Sequence, residues 1–142
     1  MIAFVIGPAC AGKSTFIKNN FPNCKVINLY DYQKNFMTVD EVWQSYLKCR
    51  DELKKAVQNN ENVILEHTLL KKERRIMYIE AIREITNAPI DIYVMLPDIE
   101  TLLERRKERK ILTSRKMTES ELEMCDIPVP EDGFNKIEII RE

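Results

Sequence analysis

The residues best equipped for chemistry stand near the start of the chain, in Gly7-Pro8-Ala9-Cys10-Ala11-Gly12-Lys13-Ser14-Thr15. The spacing is G-x-x-x-x-G-K-[ST], and each fixed position has a task in holding a triphosphate. Gly7 and Gly12 let the backbone curl until successive N–H groups point inward at phosphate oxygens. A helix opening at Lys13 adds the positive end of its dipole. Lys13 reaches the β- and γ-phosphates, and Ser14 offers its hydroxyl to Mg²⁺. The chain holds only three glycines and spends two of them here. A nucleoside triphosphate with Mg²⁺ is the expected ligand of these nine residues. Cys10 reads as a small filler, because backbone N–H groups do the binding.

Phosphoryl transfer needs more: an acceptor held in line, a group to take its proton, and positive charge on the moving oxygens. Asp31 follows the second apolar run and is the only acidic residue between the loop and Asp40. Ligands of open α/β sheets sit at the carboxyl ends of strands, so Asp31 is the expected general base. Glu66-His67-Thr68 follows a third apolar run, at the same edge of the sheet. Glu66 suits a carboxylate that helps Mg²⁺, Thr68 suits orientation of an acceptor, and His67 reads as structural. From Glu104 to Lys116 there are seven basic and two acidic residues. Arg105 and Arg109 lie four apart and share one helix face. A phosphate clamp is the expected role of this run. Lys71, Lys72, Arg74 and Arg75 read as a surface set, with contact to a polyanion as the alternative.

These groups need a scaffold. Ile2 to Ile6 is an unbroken apolar run, as in a strand buried on both faces. Further strands are expected at Lys25 to Leu29, Asn62 to Leu65, Ile90 to Leu96 and Lys136 to Ile140. Helices are expected at Lys13 to Asn20, after the capping box Thr38 to Glu41, at Lys71 to Thr86, from Asp98 to about Lys110, and at Thr118 to Cys125 behind a second box. Apolar positions 39, 42, 43, 46, 47, 53 and 57 mark the inner face of the second helix, and Ile76, Ile79, Ile82 and Ile85 that of the third. Strands alternating with helices give an α/β fold, a five-stranded parallel sheet with helices on both faces. No linker rich in Gly, Pro or Ser divides the 142 residues, so one domain is expected, with a lid over about 105–117.

Composition narrows the classes. A formal net charge of −1 excludes a whole-molecule basic field. The four cysteines have no metal-ligand spacing and only one histidine exists, which argues against structural zinc. Reduced cysteines fit a cytoplasmic location. The opening MIAFVIG lacks a basic leader and a cleavage site, and no apolar run approaches ~18 residues, so neither signal peptide nor membrane contact is expected.

In the order of its motifs the chain resembles the P-loop kinase domain of the phage polynucleotide kinase family. The resemblance runs through GPACAGKST, INLYDYQK, VILEHTLLKKERR, ERRKERK and PVPEDGFNKIEII, and so covers nearly the whole chain. It implies an ATP-dependent kinase whose acceptor is a DNA or RNA 5′-hydroxyl. Thr68 matches a threonine of the acceptor pocket. Arg105 and Arg109 match lid arginines on phosphates, Arg109 being the one expected at the transition state. The family's Asp-Asp/Glu-x-Arg is replaced by Tyr30-Asp31-Tyr32-Gln33-Lys34. If Asp31 is the base, Lys34 takes the place of the arginine that grips the substrate phosphate. A gap-free reading from Ile27-Asn28 puts Tyr30 at the base position instead. Two other functions fit the residues: a kinase for a nucleoside, nucleotide or other metabolite, and a non-catalytic NTP-binding module.

Overall fold

The computed structural model describes residues 1–141. Five strands, β1 (Ile2–Ile6), β2 (Lys25–Asn28), β3 (Val63–His67), β4 (Ile90–Met95) and β5 (Lys136–Ile140), form one parallel sheet in the order β2-β3-β1-β4-β5. β1 is central, and all five of its residues are buried. Alternation along it feeds two cores. Ile2, Phe4 and Ile6 face the side covered by the helices α2 (Val39–Gln58) and α3 (Lys72–Arg83). Ala3 and Val5 face the side where α1 (Lys13–Asn20) brings Ile17, with Phe16 and Phe21 packed against Tyr93. The expected α/β fold with a five-stranded parallel sheet is the observed one.

Sequence and structure part at several element boundaries. β2 stops at Asn28, whose side chain accepts from Tyr30 N, and a 3₁₀ turn, η1 (Leu29–Tyr32), follows. β3 runs on through Glu66 and His67 because both are paired to β1. The two last helices are found with shifted bounds: α4 (Ile99–Glu108), capped by Asp98, gives way at Arg109 to a loop, and α5 (Arg115–Glu123) begins after Ser114, ahead of the expected Thr118. Ser114 accepts from Met117 N and is the true cap. Thr118, expected in that role, is buried inside the helix, where its hydroxyl accepts from Arg106. The inner face of α2 is Ser45, Cys49, Leu53, Ala56 and Val57, which leaves Val39 89% and Trp43 41% exposed. In α3 the inner face is Arg75, Tyr78, Ile79, Ala81 and Ile82, so Ile76 drops out of the expected stripe. In both helices a polar residue sits where an apolar count would not place it: Ser45, which donates to Val42 O and accepts from Gln33, and Arg75, which donates through Nη1 to Leu69 O. No helix among the described residues is long and apolar enough to cross a membrane.

Candidate functional site

The loop between β1 and α1 has the backbone its glycines require. Gly7 lies at φ 152°, and a Cβ there would stand 2.5 Å from the Met95 carbonyl oxygen. Gly12 lies at φ 94° and opens α1. Cys10 also takes a positive φ, 70°, unusual for a residue with a side chain. Gly7 N donates to Thr68 O at 3.2 Å, which ties the loop to the end of β3.

Lys13 lies back along this loop, its ammonium donating to Gly7 O at 2.6 Å and Pro8 O at 3.0 Å. Burial draws its pKa down from 10.5 to about 8, with the Glu66 carboxylate pulling the other way. Ser14 donates to Glu66 Oε2 at 2.6 Å. Glu66 reaches it because β3 lies beside β1, with Glu66 level with Val5 and, on its other side, with Asn28 of β2. A buried lysine, a hydroxyl and a buried carboxylate are thus gathered at the carboxyl ends of three strands. The cleft in front of them is lined by Asn28 and Tyr30 on one side and by Arg109 and Ile111 on the other.

The arginines of α4 and its C-terminal end make different contacts. Arg105 donates to Cys10 O at 3.3 Å. Arg109, at the end of α4, faces the cleft beside Lys13 and Ser14 and a second one beside Thr15 and Asn19. Arg106 is almost fully buried. Its guanidinium forks onto Glu121 with two bonds of 2.9 Å and also donates to Ala9 O and Thr118 Oγ1. It stitches α4, α5 and the phosphate loop together. No local signal separates Arg106 from its neighbours, because its partner Glu121 lies on another helix.

Other expected residues stand elsewhere. Asp31 is exposed and does not line the cleft. The turn of η1 holds it near Tyr32 and Cys49, whose pKa values are raised by burial first, with the Asp31 charge adding to both. Tyr30 occupies the cleft wall instead. Burial, with Cys10 and Glu66 adding, pushes its phenol pKa up, so it remains a neutral hydrogen-bond donor. Lys34 is exposed and ion-paired to Glu41 at 3.7 Å, on the cap of α2. Thr68 is half-buried beside the loop, its hydroxyl 3.5 Å from His67 Nδ1. His67 is fully buried, shares a hydrogen bond with Tyr78 and packs edge-on against Tyr46. Burial, helped by the Lys13 charge, lowers its pKa to about 3, which leaves it neutral and structural.

No curated protein matches the sequence. Solved structures share the fold at low identity. A sugar kinase from Janibacter sp. HTCC2649 superposes with a TM-score of 0.68 at 13% identity, over 98% of this chain and 83% of the other. A gluconokinase from Sinorhizobium meliloti 1021 gives 0.69 at 16%, over 99% and 81%. A chain of the Pnkp1/Rnl/Hen1 RNA repair complex gives 0.73 at 17%, over 87% of this chain but only 43% of that one. The phosphate loop, the Ser14–Glu66 pair and the lid arginines thus sit on a P-loop kinase-like fold, and with residues 2–124 matching a family model described as an AAA domain, the chain belongs to that family.

Proposed function

We propose that the protein is an ATP-dependent kinase that transfers the γ-phosphoryl group to a 5′-hydroxyl of DNA or RNA. The observation that carries the transfer is the gathering of Lys13, Ser14, Glu66 and Arg109 around one cleft. Phosphates entering the loop replace the Gly7 and Pro8 carbonyls as partners of Lys13. The loop N–H groups and the start of α1 hold the β- and γ-oxygens. Ser14 and Glu66 offer the hard oxygen donors that Mg²⁺ requires, and these two residues would hold it. Held there, Mg²⁺ would supply positive charge that offsets the charge of the phosphates. Arg105 and Arg109 meet the charge that spreads over the moving phosphoryl group. Such transfer asks mainly for positioning and electrostatics. The acceptor oxygen bonds to the γ-phosphorus as its bond to the β–γ bridging oxygen breaks, ADP leaves, and the acceptor's proton passes to a transferred phosphoryl oxygen and on to solvent. The phenol of Tyr30 orients the acceptor by donating to it, while Asp31 contributes little from outside the cleft.

The polynucleotide acceptor rests on the five ordered motifs, from GPACAGKST to PVPEDGFNKIEII. A second reading, a small polyol or nucleoside as acceptor, is favoured by Lys34. The residue expected to grip a substrate phosphate is paired with Glu41 away from the cleft, and an acceptor without a phosphate would need no such grip. Labelled ATP with an acceptor panel separates the two. Label on a 5′-hydroxyl oligonucleotide supports the first, and label on the small acceptors alone supports the second. We place the whole activity in one domain, residues 1–142.

A further inference from the structure

The sequence offers no basic groove interleaved with aromatics, but the fold brings two aromatic rings and an arginine together from two helices. Trp43 and Tyr46 stand one turn apart on α2, and Arg74 rises beside them from the first turn of α3. The Arg74 guanidinium carbon lies 6.0 Å from the Trp43 ring centre and 5.7 Å from that of Tyr46. The stack borders a cleft of about 540 Å³ whose wall also holds Lys71, Glu73, Met77 and Asp126. Of the two carboxylates, Asp126 accepts from Lys72 N at the opening of α3 and keeps its charge. Lys71 and Arg74 are thus balanced by Glu73 and Asp126, and the aromatic faces, with Arg74 over them, are what distinguish the cleft. Trp43 is exposed although the helical pattern would bury it, and Arg74 has no carboxylate partner among the described ion pairs.

The cluster is one layer of side chains away from the phosphate loop. Tyr46 packs edge-on against His67 with ring centres 4.8 Å apart, and the next residue, Thr68, accepts from Gly7 N. Lys71, on the wall of this cleft, follows Thr68 by three residues, so the cluster lies on the same side of β3's end as the loop contact.

We propose that Trp43 and Arg74 form a stacking platform for single-stranded nucleic acid, a base lying on the indole and a backbone phosphate on Arg74 and Lys71. This rests on the polynucleotide reading of the acceptor and adds the site that holds the strand beyond its first nucleotide. Aromatic faces take any base, so the platform does not select sequence. Two phosphate contacts imply that the logarithm of the association constant falls with the logarithm of salt concentration at a slope of about −1.4, at ~0.7 per contact on a single strand.

Trp43 is the only tryptophan of the chain, so its fluorescence reports the platform directly. The test titrates the protein with a ten-residue oligothymidylate, a ten-residue oligouridylate and inorganic polyphosphate, each followed by that signal. Saturable quenching by the oligonucleotides and none by polyphosphate is expected. In parallel, anisotropy of a labelled oligonucleotide should show about tenfold weaker binding for Trp43→Ala, near-normal binding for Trp43→Phe, and for Arg74→Ala a slope reduced by about 0.7. ATP affinity should be unchanged in all three variants, which certifies their fold. Absence of quenching, or equal quenching by polyphosphate, overturns the platform. Phosphorylation of the same strands is scored separately. Quenching without phosphorylation keeps the platform and defeats the acceptor assignment, and phosphorylation without quenching does the reverse.

Discussion

At the scale of single residues, Lys13 carries the most distinctive expectation. Its ammonium is held near a pKa of about 8 in the free protein, against 10.5 when exposed. Between those values the unfolded chain binds more protons than the folded one, so the stability of the free protein should rise as pH rises from 8 to 10.5. ATP affinity should move the opposite way, because phosphate is attracted only by the charged form, and should fall as pH passes 8. Calorimetry near pH 8.5 in two buffers of different ionisation enthalpy should detect proton uptake on binding. Affinity that stays flat to pH 10 would remove Lys13 from the phosphates. Tyr30 and Asp31 give a second residue-scale test. Tyr30→Phe keeps the ring and loses the donor that faces the acceptor, so it should lower kcat about tenfold or more. Asp31→Asn should stay within a few-fold, since its carboxylate lies outside the cleft. The ~10²-fold loss usual for a general base, seen in Asp31→Asn at saturating ATP, would restore it to that role.

Among the elements, the join between α4, α5 and the phosphate loop matters most, and Arg106 makes it. Arg106→Met should cost about 2–3 kcal/mol in urea unfolding, the scale of charged hydrogen bonds lost from a largely buried site. Adding Glu121→Leu should recover most of that stability, because an apolar pair can replace a buried ion pair. Activity should not return with it, because the Ala9 carbonyl stays unheld. Arg109→Ala should leave ATP binding nearly intact and lower kcat by ~10³-fold, since the charge it meets develops mainly in the transition state. If only solubility changes, the basic run is a solvated helix face. The elements themselves were readable from the sequence wherever a local signal existed: the apolar run of β1, the glycines of the loop, the Thr38–Glu41 box. They were misread where a distant partner decided the outcome. Arg106 buries the hydroxyl of Thr118, and the cap moves to Ser114. β3 extends through Glu66 and His67 because β1 lies alongside. The placement of Asp31 depended on a 3₁₀ turn that one residue, Asn28, starts.

Over the whole molecule, the sheet order β2-β3-β1-β4-β5 explains why four separate segments meet at one cleft. Putting β3 between β1 and β2 brings Glu66 to Ser14, and the helix after β4 carries the arginines across to the loop. This convergence, rather than net charge, defines the site, and a formal charge of −1 is no obstacle to a polyanion that meets local arginines. The proposed transfer of the γ-phosphoryl group from ATP to a 5′-hydroxyl is tested by incubating the protein with Mg²⁺, γ-labelled ATP and a panel of 5′-hydroxyl oligonucleotides, nucleosides and sugar acids, with Lys13→Ala in parallel. Label is expected at the 5′ end of the oligonucleotides and none with Lys13→Ala. Label appearing only as free phosphate or only on the small acceptors, while ATP binding is intact, would contradict it.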